Sequence, residues 1–312
     1  MFSVIAYYKF TPLEDPHFFC AGHRELCRRL HLKGRIYIAG EGLNGTVAGR
    51  SKDIAQYRQA LTSTAGFEGI DFKEHSCHEI PFDRLIVRVR PEIVTLKSSV
   101  ALDPCREHGR YLTPRQWREM LESKEDFQLL DVRNTYETAI GHFAGAICPA
   151  VENFYDFPDW LEQAPLDKGR KVLMYCTGGI RCEKFSLLMM RKGFKDVYQL
   201  QGGILNYAEQ EKGKHFQGKC FVFDNRLSVP VGDAQEIPVG RCAVTGVPCD
   251  QYVNCANMAC NKLFLCSPEG ANTFEGCCSE ECRRSSWRRP FDSANVYSIA
   301  QRWYHYFDEK LK

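Results

Sequence analysis

The first 95 residues alternate between the hydrophobic patterns of strands and those of helices. Apolar residues form short runs or recur with a period of two in some segments, and recur at helical spacing in others. The predicted strands are residues 2–10, 35–39, 45–48 and 84–89, and the predicted helices are residues 15–32 and 51–61. The order β-α-β-β-α-β predicts a ferredoxin-like (βαββαβ) N-terminal domain over residues 1–95.

A second unit follows a linker at residues 96–111. It begins at Thr113, which is suited to cap a helix that has Pro114 at its first position. Beyond it, the pattern predicts short buried strands at residues 129–133, 171–175 and 197–200, and a helix at residues 183–192. Strands that alternate with helices predict an α/β domain with a central parallel sheet over residues 112–217. Ligands of such sheets bind at the carboxyl ends of the strands.

The hydrophobic pattern breaks down after residue 217, and cysteine becomes the dominant feature. Eight of the sixteen cysteines lie between Cys242 and Cys282, ends included. Residues 218–312 are therefore predicted to form a cysteine-rich C-terminal region. This region is too poor in large aliphatic residues to fold without added cross-links such as a bound metal or disulfides. A local cluster of cysteines in a chain without a secretion signal favours metal or redox chemistry over structural disulfides.

Composition and charge narrow the class of protein. The 312 residues are 44% hydrophobic and 26% charged, and the net charge is +2, so any nucleic-acid binding must come from a local patch. Residues 1–10 lack the segments of a signal peptide, and no apolar stretch approaches the roughly 18 residues that span a bilayer. We therefore expect a cytoplasmic protein with no membrane partner and no nucleotide cofactor.

One loop carries the strongest signal for chemistry. It lies between a predicted strand and a helix, and its residues are Cys176, Thr177, Gly178, Gly179, Ile180 and Arg181. The two glycines allow positive φ, so that successive N–H groups point inward as an anion-binding nest, to which the helix adds its positive end. Arg181 either braces the loop or adds positive charge. These features predict a depressed thiol pKa at Cys176; the alternative is a buried structural thiol on a tight turn.

Several motifs around this loop resemble a rhodanese domain. The segment from Cys176 to Arg181 matches the C-x4-R loop of that family, and residues 130–133, 141–146 and 201–204 match its opening and closing motifs. The loop is one residue shorter than the C-x5-R loop of related phosphatases, which favours sulfur chemistry over phosphoester hydrolysis. The resemblance implies that certain polar residues orient turns of the domain, namely Asp131, Arg133, Glu137 and His142.

Longer motifs resemble the TrhO (YceA) family over nearly the whole chain. They lie at residues 34–36, 41–47, 90–96, 175–184, 219–224 and 249–255. Members of that family are oxygen-dependent hydroxylases that convert the wobble uridine of certain tRNAs to 5-hydroxyuridine. The resemblance implies an acylphosphatase-like N-terminal domain, the anticodon loop of tRNA as partner, molecular oxygen as co-substrate, and an electron donor that the sequence does not identify.

A hypothesis for that reaction gives Cys176 the central role. Its thiolate adds to C6 of uracil, the resulting enolate reacts at C5 with dioxygen, and the hydroperoxide is reduced before the cysteine is eliminated. Cys182 is either a resolving thiol or simply the beginning of the helix. Two other functions stay open. One is thiosulfate-type sulfur transfer through a Cys176 persulfide, and the other is a non-catalytic RNA-binding or sulfur-carrier module, which the intact Cys176 and Arg181 count against.

Four cysteines of the C-terminal region are predicted to share one structural zinc ion. They form a C-x4-C and a C-x3-C pair, and they are Cys255, Cys260, Cys278 and Cys282. Four thiolates suit tetrahedral Zn²⁺, whereas free thiols, or disulfides formed on purification, are the alternatives. The sequence departs from the family at Thr245 and Glu269, where relatives tend to carry the second cysteine of a C-x2-C pair, so one further metal site is expected to be lost.

A short basic segment follows the last cysteine. Four arginines flank Trp287 in the sequence, namely Arg283, Arg284, Arg288 and Arg289. Basic residues interleaved with an aromatic ring suit phosphate contacts and base stacking in single-stranded RNA, so these residues are candidate RNA contacts. A solvated charge run is the alternative.

Overall fold

The structure, a computed structural model, describes residues 1–232, 238–298 and 301–302. The predicted cysteine-rich region of residues 218–312 therefore extends partly outside the described residues. The described chain forms two compact units. The first joins Met1–Asn134 to Gly145–Lys214, and the second joins Thr135–Ala144 to His215–Lys312.

The N-terminal part of the first unit is a five-stranded sheet with two helices on one face. Its elements are β1 Phe2–Phe10, α1 Pro16–Arg29, β2 Lys33–Ala39, β3 Gly42–Arg50, α2 Ser51–Thr62, β4 Phe72–Cys77 and β5 Leu85–Val89. The strand order is β4-β1-β3-β2-β5. Asp15 caps α1 by accepting a hydrogen bond from the N–H of Phe18, and Pro16 occupies the first turn, where its missing N–H costs nothing.

The first six elements confirm the predicted ferredoxin-like order, but the prediction of the closing strand is wrong. The closing strand is β4, which pairs antiparallel with β1. The segment that was expected to close the fold forms β5, a fifth strand parallel to β2. The physical reason is that β4 is a largely polar edge strand, whose pattern is weaker than that of β5.

Side chains of this sheet alternate between two faces. One face packs against α1 and α2 and forms a core that includes Ile5, Tyr7, Ile36, Ile38, Val47 and Tyr57. Because successive side chains of a strand point to opposite faces, the residues between these core positions lie on the other face of the sheet. No helix covers that face among the described residues of this part of the chain, and one end of it is closed by Phe82, which packs on Val4 and Ala48.

The chain continues into the predicted parallel sheet. The next elements are β6 Arg110–Leu112, α3 Pro114–Glu122, β7 Phe127–Asp131, α4 Thr135–Thr138, β8 Gly141–Phe143, α5 Phe157–Gln163, β9 Lys171–Tyr175, α6 Ile180–Arg191, β10 Val197–Leu200 and α7 Gly203–Glu211. Of these, α4 and β8 belong to the second unit. The strands of the first unit run parallel in the order β6-β10-β9-β7, which confirms the prediction. Thr113 caps α3 through a capping box with Gln116.

The middle of this parallel sheet positions the loop of interest. In the register, Asp131 at the end of β7 lies opposite Tyr175 at the end of β9. Both strands are buried at their carboxyl ends, and α6 is buried along most of its length. Cys176 therefore leaves the sheet at the edge where parallel sheets place their ligands.

The second unit consists of short strands and turns around a core that contains many cysteines. Its later elements are β11 Phe216–Phe221, β12 Ser228–Pro230, β13 Tyr252–Asn254, β14 Leu263–Leu265, α8 Pro268–Thr273 and α9 Glu280–Arg284. The strands form a three-stranded sheet in the order β12-β11-β8 and a two-stranded sheet of β13 and β14. Six cysteines are among the buried residues of one cluster in this unit, with Val253, Phe264 and Val296, and the partly buried Cys278 packs against it.

Candidate active site

Cys176 lies directly after β9, and its sulfur faces the N-terminal end of α6. The Sγ atom accepts a hydrogen bond of 3.1 Å from the N–H of Gly179. Gly179 has φ +103 and is the N-cap of α6, a conformation that favours glycine. The expectation that Gly178 also adopts positive φ is wrong: of the two loop glycines only Gly179 has positive φ. A Cβ on Gly178 would meet no heavy atom within 4 Å. The nest therefore depends on Gly179.

The pKa of Cys176 is depressed despite its burial. Burial by itself raises the pKa, but the Cys182 thiol, the Arg181 charge and the N–H groups of Arg181 and Gly179 all stabilise the anion. Together they lower the pKa of Cys176 to about 6. Arg181 is itself buried and donates a 3.4 Å hydrogen bond to Thr177 Oγ1, so it both braces the loop and supplies charge. The arrangement holds a thiolate at neutral pH.

Cys182 is part of the same network. It lies in the first turn of α6, is fully buried, and donates a hydrogen bond to Cys176. Burial raises the pKa of Cys182, and the hydrogen bond and the charge of Cys176 raise it further, well above its ordinary value. Cys182 is therefore a neutral donor to the thiolate in this structure, a role that the sequence did not suggest.

The glycine motif at the start of α7 contacts the backbone of the Cys176 loop. The N–H groups of Ile204 and Leu205 donate to the carbonyl oxygens of Cys176 and Thr177, at 3.0 and 3.1 Å. A Cβ on Gly203 would lie 2.6 Å from each of these two oxygens, and Gly203 has φ +68. Only glycine fits here without strain, because any side chain would displace the loop.

Two of the residues that were expected to orient turns form a buried ion pair. The Arg133 guanidinium binds the Asp131 carboxylate, with Nη2 2.5 Å from Oδ2, and both side chains are completely buried. Arg133 also lies over the ring of Tyr175, 5.8 Å from its centroid. Glu137 is buried and His142 Nδ1 lies 3.0 Å from the carbonyl oxygen of Phe143, both in the second unit.

A tyrosine from the N-terminal sheet reaches the loop that contains Cys176. The Tyr8 hydroxyl donates to Glu183 Oε1 at 2.7 Å, and a Cβ on Gly179 would lie only 2.8 Å from the Tyr8 oxygen. Tyr111 donates to the same carboxylate at 2.9 Å, and Gln199 Nε2 does so at 3.2 Å. Burial, and then the charge of Glu183, raise the pKa of Tyr8 well above its ordinary value. The sequence placed Glu183 within a family motif but gave no signal for its partners.

The family motifs of the N-terminal part meet α6 at a second point. Lys184 is almost completely buried, and its ammonium lies 2.8 Å from Glu41 and 2.6 Å from Glu92. Glu41 also accepts a 2.7 Å hydrogen bond from the N–H of Ile93, and Asn44 donates to the carbonyl oxygen of the same residue. These motifs therefore join the N-terminal sheet to α6, the helix that follows Cys176.

The four predicted zinc ligands lie together in the second unit. The sulfur atoms of Cys255, Cys260, Cys278 and Cys282 all lie within 4.8 Å of one another. The Cys260–Cys278 and Cys278–Cys282 separations are 3.7 and 3.8 Å. The expected loss of a second metal site stays a prediction. At the position of that site, the sulfur atoms of Cys242 and Cys266 lie 3.9 Å apart. Cys242 Sγ accepts hydrogen bonds from the N–H of Thr245 and the hydroxyl of Ser267.

The basic segment after the cysteines is largely engaged in contacts of its own. Arg283 and Arg284 pair with Glu280, and Arg288 pairs with Glu275. Arg289 is only 4% exposed, and it donates to the carbonyl oxygen of Asn254. Trp287 is 56% exposed. The segment thus offers an accessible ring and partly neutralised arginines, and its role in RNA binding stays a prediction.

Within the described residues, the structure contains no helix with the length and apolar character needed to cross a bilayer.

Three family models match successive parts of the chain. They are described as the UPF0176 acylphosphatase like domain, over residues 2–93, the rhodanese-like domain, over residues 113–210, and the rhodanase C-terminal, over residues 217–283. Among solved structures, the Alr3790 protein from Anabaena is 26% identical and covers 34% of this chain and 91% of its own. The TM-score of this match is 0.30.

Curated relatives match over most of the chain. A protein of Bacillus cereus (strain AH820) and one of Bacillus anthracis (strain A0248) are each 44% identical over 291 residues. These cover 92% of this chain and 91% of each relative. Both bear the name tRNA uridine(34) hydroxylase. The predicted resemblance and the predicted fold class are confirmed, and the chain belongs to the tRNA uridine(34) hydroxylase family.

Proposed function

We propose that the protein hydroxylates C5 of the wobble uridine of tRNA, with Cys176 as the nucleophile. The name of the relatives supplies the substrate and the kind of reaction. The observation that carries the assignment to Cys176 is the N–H of Gly179 directed at its sulfur at 3.1 Å, beside the charge of Arg181. With a pKa of about 6, the thiolate is the major form at neutral pH, and the thiolate is the reactive form of cysteine.

The chemistry proceeds through a covalent adduct. The thiolate of Cys176 adds to C6, and the electron pair of the C5=C6 bond moves into an enolate at C5. The enolate forms a C–O bond with dioxygen and takes up one proton, which gives a hydroperoxide. A two-electron donor and two protons convert the hydroperoxide to the alcohol and water. Loss of the C5 proton and of the thiolate restores the double bond, so the net reaction consumes uridine, dioxygen, two electrons and two protons.

The loop stabilises the two anionic stages of this sequence. The N–H of Gly179 and the charge of Arg181 favour the free thiolate before attack and again when it is eliminated. Cys176 is only 1% exposed, so the uracil ring reaches the sulfur only when neighbouring groups move. Tyr8 lies against Gly179 and is therefore one of these neighbouring groups.

A trapped adduct tests the assignment. We expect tRNA with 5-fluorouridine at position 34 to form a covalent complex with the protein, because fluorine cannot leave C5 in place of the proton. Peptide mapping by mass spectrometry should locate the adduct on Cys176. With unmodified tRNA, Cys176→Ser should lower the rate of hydroxylation by at least about a thousandfold, as the loss of a nucleophile does in other enzymes.

The controls separate this function from sulfur transfer. Cys148→Ser, which changes an exposed cysteine, should retain the parent rate. Removal of oxygen should abolish the product, whereas a thiosulfate-type sulfurtransferase would form a Cys176 persulfide and sulfurated product without oxygen. Full hydroxylation by Cys176→Ser would exclude the nucleophilic role.

We also propose that the protein works in the cytoplasm, because its proposed substrate is tRNA.

We also propose that the four clustered cysteines hold one structural zinc ion. Tetrahedral Zn²⁺ with bonds of about 2.3 Å requires sulfur atoms about 3.8 Å apart. The separations of 3.7 and 3.8 Å between Cys260, Cys278 and Cys282 meet this requirement. The ion would replace the aliphatic core that this region lacks, and it has no part in the steps at Cys176.

A further inference from the structure

The face of the N-terminal sheet opposite α1 and α2 carries two rows of side chains that cross the strands. The register places Lys73, Ala6, Thr46, Arg35 and Ile86 in one row. The next row consists of Tyr8, Asn44, Tyr37 and Arg88. We call the centre of these rows, formed by the exposed Arg35 and Arg88 and the half-buried Tyr37, Thr46 and Ile86, the outer sheet face.

The outer sheet face is basic and carries an aromatic ring. Arg35 and Arg88 are exposed, and neither forms an ion pair within the part of the chain that the structure describes. No aspartate or glutamate occupies a position in either row. Arg90 lies over the ring of Tyr37, with its guanidinium 5.4 Å from the centroid. The protein as a whole has a net charge of only +2, so this local accumulation of positive charge is not a consequence of composition.

The second row ends at the catalytic loop. Tyr8 occupies the β1 position of that row, and its hydroxyl contacts Glu183 and lies beside Gly179. Tyr37 lies two strands away in the same row, a distance of about 10 Å at the usual strand spacing. This corresponds to roughly three stacked nucleotides at about 3.4 Å each. A short single-stranded segment therefore spans the distance from Tyr37 to the edge of the Cys176 loop.

We propose that the outer sheet face binds the single-stranded anticodon loop and leads the target uridine to Cys176. In this arrangement Tyr37, with Arg90 against it, stacks a loop base, and Arg35 and Arg88 contact phosphates. Single-stranded RNA is recognised in this way by other sheets with aromatic and basic residues, because unstacked bases stack on rings and on guanidinium planes. The inference rests on the proposed function, since that function requires an anticodon loop at Cys176.

Binding to RNA tests the face without reference to catalysis. The probe is a fluorescently labelled anticodon stem-loop with uridine at position 34, titrated with the full-length protein at several salt concentrations. In Arg35→Ala/Arg88→Ala, the slope of log K against log salt should fall by about 1.4, because each phosphate contact to a single strand contributes about 0.7. In Tyr37→Ala, binding should weaken about 5- to 100-fold, and Tyr37→Phe should restore it, because the ring is what stacks.

The control is a double variant of two arginines in α1, on the opposite side of the sheet from the outer sheet face. Arg28→Ala/Arg29→Ala removes the same charge from the exposed last turn of α1, and it should bind within about twofold of the parent if the position of the charge matters. Equal weakening in both double variants, parent-like binding by Tyr37→Ala, or failure of the parent to bind the stem-loop would overturn the inference. Hydroxylation by the parent, measured on whole tRNA by nucleoside mass spectrometry, judges the proposed function separately.

Discussion

The ionisation of Cys176 results from opposing effects at a single sulfur atom. Burial favours the neutral thiol, but the donors from Cys182, Gly179 and Arg181 outweigh it and bring the pKa to about 6. Burial, and then the hydrogen bond to Cys176 and the charge of its thiolate, raise the pKa of Cys182, because a second anion beside the first is disfavoured. The pair therefore carries one negative charge near neutral pH, located on Cys176, with Cys182 as the hydrogen-bond donor.

The charge of Arg181 provides a prediction at this scale. The rate at which iodoacetamide labels Cys176 should rise with pH and reach half its maximum near pH 6 in the parent, since only the thiolate reacts. Arg181→Met should move this midpoint upward, toward the value of about 8.5 for an ordinary thiol. Peptide mapping by mass spectrometry separates Cys176 from the other cysteines.

The conservative variant is the control for this prediction. Arg181→Lys keeps the positive charge while it loses the hydrogen bond to Thr177, so its midpoint should stay closer to that of the parent than the midpoint of Arg181→Met does. If both variants had the midpoint of the parent, the charge would have no part in the depressed pKa. A midpoint near 8.5 in the parent itself would remove the basis for a stable thiolate.

The elements around the loop show which features a local pattern can and cannot predict. The C-x4-R motif is contiguous, so the sequence located Cys176, Arg181 and the helix that follows them. The conformation of Gly178 was not predictable, because two adjacent glycines can share one reversal of the chain in several ways. The contact of Gly203 with the loop was also hidden, because it joins the ends of β9 and β10 across the sheet.

Gly203→Ala should be the more damaging of two matched glycine substitutions. A methyl group on Gly203 meets two carbonyl oxygens at 2.6 Å at positive φ, whereas one on Gly178 meets no heavy atom within 4 Å. We expect Gly203→Ala to lower the free energy of unfolding by about 2–4 kcal/mol and the midpoint of thermal unfolding by roughly 4–12 °C. Gly178→Ala should stay within about 1 kcal/mol of the parent. Equal midpoints in thermal unfolding would contradict the supporting role of Gly203.

The strand β4 shows why the N-terminal fold was predicted correctly in class but not in detail. Phe72 packs against the core under the helices and Cys77 against the cluster of Phe82, while Lys73, Glu74 and His75 give the strand a polar sequence. Both β4 and β5 are edge strands, and β4 is the one that carries few apolar residues. The segment Leu85–Val89 has the stronger pattern since it packs on α1, and it was therefore chosen as the closing strand.

At the scale of the whole molecule, the family motifs of the N-terminal part are explained by contacts that no local pattern reveals. Glu41 and Glu92 neutralise the buried Lys184, and Tyr8 and Tyr111 bind Glu183, so both residues after Cys182 are held by distant parts of the first unit. A buried ammonium needs such partners. These contacts therefore tie α6 directly to the sheet that is proposed to bind RNA.

The second unit depends on a different source of stability, which gives the last prediction. If Cys255, Cys260, Cys278 and Cys282 hold Zn²⁺, freshly purified protein should contain about one zinc per chain by elemental analysis. Removal of the ion with a strong chelator should lower the midpoint of thermal unfolding, because the free energy of binding a structural zinc is also free energy of folding. Cys278→Ser should lose most of the bound zinc, since Cys278 lies 3.7 and 3.8 Å from two other ligands.

Cys148→Ser is the matched control for that prediction, because Cys148 is exposed and belongs to the first unit. It should retain both the zinc and the midpoint of the parent. The pKa of Cys176 should change little in the chelated protein, since the thiolate is stabilised by donors of its own loop. Less than about a tenth of a zinc per chain in protein purified without chelators would mean that the clustered thiols pack without a metal. The cysteine-rich core of this unit would then have to be stable through its buried apolar contacts alone.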